Sequence, residues 1–449
     1  MDHGQQENAA RQTYHQNLKN YLFSLFFGTI LGWAFNIFQG VEMAPISTVL
    51  ALIGLIGLNS LPRTYIGFYL FGVAFHTVSL YWVGHALYFA PYTIGINLDV
   101  FVPFASFAIS LILALQFPLS LAIGRSYWIL PFLLFDFGRS LSDTFFPWNF
   151  IGYTSVLWLS SLRFLGILGM TTYMLLLGHI RQLSRIFQLG LITLSCVMMM
   201  DHYLYQRQEL ISSSYTVKIV QTNITQDKKY TDDQMHNLMA LSLKGEATSF
   251  IIWPESVVLK CLHHRPDICT MLAHIIPKDS YLILGHIRFD QNLYVSISAL
   301  NHLGAIVSTY DKQHLVPFGE YTPFFIRLPK LTHGKDPYQQ GVFKHMLNVT
   351  PSAAPLICYE TAFPYLLKNY KKAEWIVGIS NDAWFGKTNG PFQHFHLARC
   401  RAIEARKPFV RCVNSGISGL IGPNGRIICY IPFQKTDILV TPLFMKNAS

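Results

Sequence analysis

The pattern of apolar and polar positions changes character near residue 210. Up to that point long apolar stretches recur at about 21–39, 44–60, 65–83, 100–123, 127–140, 163–180 and 186–202, separated by short polar links. A helix needs about 20 apolar residues to cross the hydrocarbon core of a bilayer, so seven candidate spans are expected, several of them short for the task. The 127–140 stretch differs from the others because Asp136 and Arg139 lie within it. Charges at such depth face a bundle interior or a water-filled cavity. The pair therefore predicts either a structural ion pair at i, i+3 or the wall of a substrate cavity.

From Tyr215 short β-rich runs alternate with polar, helix-compatible segments. Candidate strands are Thr216–Gln221, Ser249–Trp253, Tyr281–Leu284, Leu293–Ala299, Ile306–Tyr310, Pro355–Cys358, Trp375–Ile379 and Val410–Val413. Helix candidates lie at Asp232–Lys244, Arg265–Ile276, Phe363–Asn369 and Phe392–Glu404. This alternation predicts an α/β sandwich, with a hairpin over Leu293–Tyr310 turning at Asn301–Gly304. Sheets of that kind carry their chemistry beyond the carboxyl ends of strands.

Composition supports the division. A chain of 449 residues could hold three soluble domains, yet 51% of its residues are hydrophobic and 13% charged, which excludes a disordered chain, a collagen-like fibre and a wholly soluble enzyme. The net charge of +10 is uneven: residues 1–210 hold nine basic and eight acidic groups, and residues 211–449 hold 25 and 16. A basic surface next to a membrane predicts attraction to anionic headgroups. Nucleic acid is not an expected partner, because no recognisable binding module accompanies the charge. Between the spans, Arg11, Lys19, Arg63, Arg125, Arg181 and Arg185 fall on one side and Glu42, Asp99 and Asp143 on the other, Arg163 excepted. That asymmetry predicts an inside N-terminus and, after seven spans, an outside second half. The expected division is a cytoplasmic segment 1–20, a membrane domain 21–210 of about seven helices and an extracytoplasmic domain 211–445. The polar leader lacks a small-residue cleavage site, which argues against a cleaved signal peptide.

Three strand ends carry candidate chemistry. Ser249-Phe-Ile-Ile-Trp-Pro-Glu255 ends in a carboxylate, Ala305-Ile-Val-Ser-Thr-Tyr-Asp-Lys312 in an ammonium, and Ala354-Pro-Leu-Ile-Cys358-Tyr-Glu360 in a thiol beside a carboxylate. Singly, a Cys ending an apolar strand is more often core, and a Glu or Lys there is more often solvated. Together they form a nucleophile, a base and an electrostatic stabiliser. Seven Cys are too sparse for a disulfide scaffold. No His or Cys cluster has metal spacing and no nucleotide loop occurs, so neither a metal nor a cofactor is expected.

Trp253-Pro-Glu255, Lys312-Gln-His-Leu-Val-Pro-Phe-Gly-Glu320-Tyr, Cys358-Tyr-Glu360 and Ser380-Asn-Asp-Ala-Trp384-Phe-Gly386 resemble the motifs of the nitrilase superfamily. With Gly390-Pro-Phe-Gln-His394, Asn414-Ser-Gly-Ile-Ser418, Val220-Gln-Thr-Asn223 and Phe146-Pro-Trp148-Asn-Phe-Ile-Gly152-Tyr, the chain from about 20 to 435 resembles the apolipoprotein N-acyltransferase family of bacterial envelopes. The resemblance implies a polytopic helical membrane domain followed by a nitrilase-type α/β sandwich. It implies Glu255 as general base, Lys312 as oxyanion stabiliser and Cys358 as nucleophile. Glu320 and Glu360 match further carboxylates at the site, either of which could orient Lys312 or bind the amine, and Tyr359 matches the residue beside the nucleophile. Tyr230 stands where the family often has Trp, and Trp384 is expected in the pocket wall.

The implied reaction moves an acyl chain from a phospholipid, through a thioester on Cys358, to the α-amino group of a diacylglyceryl-cysteine apolipoprotein. It would take place on the periplasmic side of the inner membrane as the last step of lipoprotein maturation. A membrane-anchored amidase acting on small amides is the alternative, and a transporter with a buried Cys358 is a third reading that the combined residues disfavour. Departures from the family pattern are Asn292-Leu-Tyr-Val-Ser296, Arg406-Lys-Pro408 and the end at Ser449 without a further span, so the catalytic domain is expected to be tethered at one end.

Overall fold

The computed structural model describes residues 3–89, 98–225, 233–321, 338–342 and 345–445. Its first half is helical: α1 (His3–Trp33), α2 (Ile46–Ser60), α3 (Tyr65–Ser79), α4 (Val102–Ala114), α5 (Gln116–Ile123), α6 (Ile129–Leu141), α7 (Leu162–Gly178) and α8 (Arg185–Gln206). Each of the seven apolar stretches is helical over most of its length, the first only as far as Trp33, with 100–123 divided between α4 and α5. The runs Asp99–Ile123, Val156–Gly178 and Arg185–Gln206 are long and apolar enough to cross a membrane, whereas α2 and α3 are shorter. The polar leader and the first apolar stretch are one continuous helix, α1, of 31 residues.

Local chemistry explains the boundaries and the packing. Thr64 caps α3 by accepting the Gly67 N–H at 3.1 Å, which satisfies one of the free donors of the first turn. Gly28 lets α1 approach α3, since a Cβ there would lie 2.3 Å from the Phe71 carbonyl oxygen. Outward-facing Phe104, Ile112, Phe164, Ile186 and Phe187 are exposed, an apolar surface that lipid covers at no cost. A short hairpin, β1 (Phe38–Gln39) and β2 (Glu42–Met43), links α1 to α2.

The charged pair in α6 is structural. Arg139 Nη1 donates to Asp136 Oδ1 at 3.0 Å, and Gln116 Nε2 donates to the same oxygen at 2.8 Å. Arg139 also donates to the carbonyls of Phe145 (3.3 Å) and Phe146 (3.0 Å) and to Asn149 Oδ1 (2.9 Å). Asn149 Nδ2 in turn reaches His76 Nδ1 and Ser79 Oγ. Both charges are buried and hydrogen-bonded, as charges at such depth must be. Their effect is to pin the 145–150 loop.

The second half contains β3 (Ile211–Gln221), α9 (Asp233–Ser242), β4 (Phe250–Ile252), α10 (Pro266–Ala273), β5 (Tyr281–Asp290), β6 (Asn292–Asn301), β7 (Ile306–Asp311), β8 (Ala353–Ile357), β9 (Trp375–Asn381), α11 (Gly390–Ala405), β10 (Phe409–Asn414), β11 (Ser418–Ile421), β12 (Ile427–Ile431) and β13 (Asp437–Met445). Two sheets form, in the orders β12-β11-β10-β9-β8 and β13-β3-β4-β5-β6-β7. Strands β8, β9 and β10 are parallel, as are β3, β4 and β5. The expected hairpin is the antiparallel pair β6–β7.

Strand alternation builds the layers. Ile219, Phe250, Ile252 and Ile283 join Trp375 and Val410 in the core between the sheets. The intervening Val220, Ile251, Trp253, Leu282 and Leu284 pack outward against Leu238 of α9 and Leu272 of α10. Burial on both faces makes these strands read as continuous apolar runs. The expected helix at Phe363–Asn369 is instead a short 3₁₀ turn, Leu366–Tyr370.

Candidate active site

Glu255, Lys312 and Cys358 each follow the carboxyl end of a strand, β4, β7 and β8 respectively, and the sandwich brings these ends together. Glu255 leaves β4 through a turn packed on β5. Val257 N–H donates to the Gly285 carbonyl at 3.1 Å, and Gly285 N–H donates to the Pro254 carbonyl at 3.2 Å. A Cβ at Gly285 would stand 2.6 Å from Glu255 Cα, so this turn requires glycine. One carboxylate oxygen of Glu255 accepts the Asn381 N–H at 2.9 Å, and the other accepts from Lys312 Nζ at 3.3 Å.

Lys312 is almost fully buried and bonds to two carboxylates, Glu320 Oε1 at 2.7 Å and Glu255 Oε1 at 3.3 Å. Burial alone would lower its pKa, but Glu320 and Glu255 outweigh burial and hold the ammonium well above its usual range. Glu320 is fixed in turn by the Val316 N–H at 2.8 Å. Lys312 is thus a permanent cation with a fixed aim, suited to charge that develops on an oxygen.

Cys358 begins the short 3₁₀ turn Cys358–Ala362 with φ +51°. That left-handed conformation is strained for a non-glycine residue and belongs to sites whose surroundings over-determine it. Burial first, and the Glu255 charge second, push the thiol up to about 12, with Lys312 acting the other way. Cys358 therefore rests as a neutral thiol, and attack by its sulfur would need a neighbouring base to take the proton. As a residue Cys358 is partly exposed.

The remaining expected residues divide in their placement. Both oxygens of Glu360 are engaged away from Lys312: Oε1 accepts from Tyr310 OH (2.7 Å) and from the N–H groups of Gln313 (2.7 Å) and His314 (3.3 Å), and Oε2 accepts from Ile357 N–H (2.8 Å). Glu360 clamps the lysine loop to the nucleophile strand, whereas Glu320 orients the lysine. Tyr359 points toward the helical half, where its OH donates to the Asp143 carbonyl at 2.8 Å and its ring stacks on Phe146 at 5.9 Å. Trp384 is half-buried in the turn Asp382–Phe385. Tyr230 lies outside the described residues. Among the described residues, no three His, Cys, Asp or Glu side chains gather as a metal site.

Two clusters went unrecognised in the sequence. Asp382 accepts from Arg411 Nη2 (2.8 Å) and Ser380 Oγ (2.7 Å) and sits 2.9 Å from His394 Nδ1. His314, within the lysine loop, contacts Asp143 and Tyr365 OH, and Gln340 and Tyr321 add further bonds to the Asp143–Thr144 loop. Ser380, Asp382, His314 and His394 belonged to recognised strings, while nothing in the sequence marked Arg411 or Asp143. Trp82, Phe146, Trp148 and Phe385 form an aromatic wall between the halves, with ring centroids 4.8–6.2 Å apart.

The chain resembles known proteins over both of its halves. Residues 216–447 match the carbon-nitrogen hydrolase family. The apolipoprotein N-acyltransferase of Rickettsia typhi is 32% identical over 403 residues, covering 80% of this chain and 79% of its own. That of Rhodopseudomonas palustris is 30% identical over 428 residues, covering 82% and 78%. Among solved structures, a nitrilase-superfamily protein of Saccharomyces cerevisiae, 18% identical, aligns over 51% of this chain and 89% of its own with a TM-score of 0.38. By its matched catalytic half and by relatives that run through both halves, the chain belongs to the apolipoprotein N-acyltransferase family, acyltransferases of the membrane that carry a carbon-nitrogen hydrolase domain.

Proposed function

We propose that the chain transfers an acyl chain from a phospholipid to the α-amino group of a diacylglyceryl-cysteine apolipoprotein through a thioester on Cys358, with Glu255, Lys312 and Cys358 as the catalytic residues. Cys358 Sγ attacks the ester carbonyl while Glu255 takes the thiol proton, and Lys312 stabilises the oxyanion. The tetrahedral adduct collapses to a thioester, and the lysophospholipid leaves as an alcohol with the proton held by Glu255. The acceptor amine then attacks the thioester, Glu255 removes an amine proton, and the thiolate leaves and is reprotonated. The observation that carries this reading is the buried Lys312 bound to both Glu255 and Glu320 beside Cys358.

The same reading takes residues 1–20 as cytoplasmic, 21–210 as the membrane domain and 211–445 as a periplasmic catalytic domain on a bacterial inner membrane. The aromatic wall between the halves favours transfer over hydrolysis, since a site that excludes water protects a thioester.

Incubation with phospholipid and no acceptor should add one acyl mass to the Cys358 peptide by a bond that neutral hydroxylamine cleaves. Cys358→Ala abolishes that adduct. A diacylglyceryl-cysteine peptide then discharges the enzyme to nitrogen. Discharge to water alone would favour the amidase alternative, and an acyl mass on another cysteine would overturn the assignment.

A further inference from the structure

We infer that Gln393 and His394, successive residues at the start of α11, form a positioning pair through which the helical half holds the nucleophile in its reactive conformation. The inference rests on the acyl-enzyme reading above and goes beyond it by adding two residues that touch no substrate.

Gln393 is buried where the two halves meet. Its Oε1 accepts two indole N–H groups, Trp82 at 3.1 Å and Trp148 at 3.0 Å. Its Nε2 donates to the Ser79 carbonyl at 3.0 Å and to Asn36 Oδ1 at 3.1 Å, with the Phe35 carbonyl at 3.3 Å. One amide thus joins α11 to the turn after α1, the end of α3 and the Trp148 loop, and that loop is the one pinned by Arg139. A buried amide with its acceptor and both donors used is costly to displace.

His394, fully buried, faces the other way. Its Nε2–H donates to the carbonyl oxygen of Cys358 at 3.1 Å, and its Nδ1 accepts from Arg411 Nη2 at 3.0 Å, which fixes the ring. Asp382 is held by the same Arg411 and by Ser380. The carbonyl gripped by His394 belongs to the residue whose φ is +51°, a strained conformation that persists only when neighbours impose it. The Cys358 carbonyl and the Tyr359 N–H share one planar peptide, so holding the first fixes the direction of the second and of the Cys358 side chain. Adjacent residues of a helix move as one body. Displacement of Gln393 therefore displaces His394.

The test compares acylation of Cys358 with its alkylation by iodoacetamide in the full-length protein. Acylation is measured with phospholipid and with a short activated aryl ester. Alkylation needs a free thiol but no stabilised oxyanion, so the ratio of the two rates isolates positioning from folding. His394→Leu should lower the ratio about 10²-fold, the effect of a small misplacement at a reacting centre. His394→Asn, too short to reach the carbonyl, should behave alike, and His394→Gln, which restores a donor at similar reach, should recover most of the loss. Gln393→Leu should lower the same ratio. An unchanged ratio in His394→Leu and His394→Asn, or a His394→Gln variant no better than either, overturns the role of His394. An unchanged ratio in Gln393→Leu overturns the link to the helical half. A wild-type protein acylated by the aryl ester but not by phospholipid would sink the proposed donor, and the ester ratios would still decide the positioning pair.

Discussion

Lys312 Nζ lies 2.7 Å from Glu320 Oε1, while Glu360, two residues from the nucleophile, binds backbone and tyrosine donors instead. Two carboxylates that look equivalent in the sequence therefore have different roles. Glu320→Gln should lower acylation by roughly 10- to 100-fold through a misaimed Lys312, leaving the thermal midpoint close to wild type. Glu360→Gln turns an amide NH₂ toward backbone donors. It should cost about 1–3 kcal/mol for each donor left unsatisfied and appear first as a lower midpoint. The reverse pattern would exchange the two assignments.

The thiol of Cys358 should titrate late. Its folded-state pKa is raised above the ordinary 9.0 to about 12, so the neutral thiol contributes stability that is complete below pH 9 and is lost as pH rises toward 12. Iodoacetamide alkylation of Cys358 should therefore rise with pH well beyond the point at which a free thiol levels off. Because Glu255 is one cause of the elevation, Glu255→Gln should move the profile to lower pH. A profile inflecting near the ordinary thiol value would contradict the burial described here.

Gly285 supports Glu255 by having no side chain. Gly285→Ala should displace the Glu255 turn, since the new methyl would meet Glu255 Cα at 2.6 Å and the Pro254 oxygen at 2.7 Å. Acylation should fall about 10²-fold or more, while Cys358 remains open to alkylation. Wild-type turnover in this variant would show that the turn yields without moving the carboxylate.

Asp136 and Arg139 allow a test in the helical half. Arg139→Met leaves Asp136 buried without its partner and should cost about 3–5 kcal/mol. The double variant Asp136→Leu/Arg139→Met should recover much of that stability and still acylate slowly, because the Phe145 and Phe146 carbonyls have lost their donor. Full activity in the double variant would confine the pair to stability alone.

Reporter fusions near residues 125 and 445 test the orientation. Arg125 should map to the inside and residue 445 to the outside, as the basic residues between spans require. An inside location for residue 445 would rule out the periplasmic reading.

Legibility from sequence followed local pattern strength. Strands β3 to β10 could be read from their apolar and β-branched runs, continuous in β4, β8, β9 and β10 where both faces are buried, and Glu255, Lys312 and Cys358 could be read because each follows a strand. Strands β11 to β13 could not: Gly419 lies inside the first, and Pro442 sits in the third where its register with β3 shifts. The contacts of Arg411 with Asp382 and of Asp143 with His314 join residues 29 and 171 positions apart. No periodicity encodes such pairs. The role of Glu360 was hidden for the same reason, since its donors come from Tyr310 and Gln313 on the other sheet.

The seam at Gln393 sets an order of events during synthesis. Trp82 and Gln393 are 311 residues apart, and at about 5–20 residues per second that interval takes roughly 15–60 s to translate. Throughout it the indole N–H of Trp82, joined for the last 245 residues by that of Trp148, awaits an acceptor that does not yet exist. The helices can be fully inserted while the face meant for α11 is still covered by something else, water or lipid. Joining of the halves is thus among the last steps of maturation, and under the proposed roles of Glu255, Lys312 and Cys358 a newborn chain that already carries them would stay inert until that face is cleared.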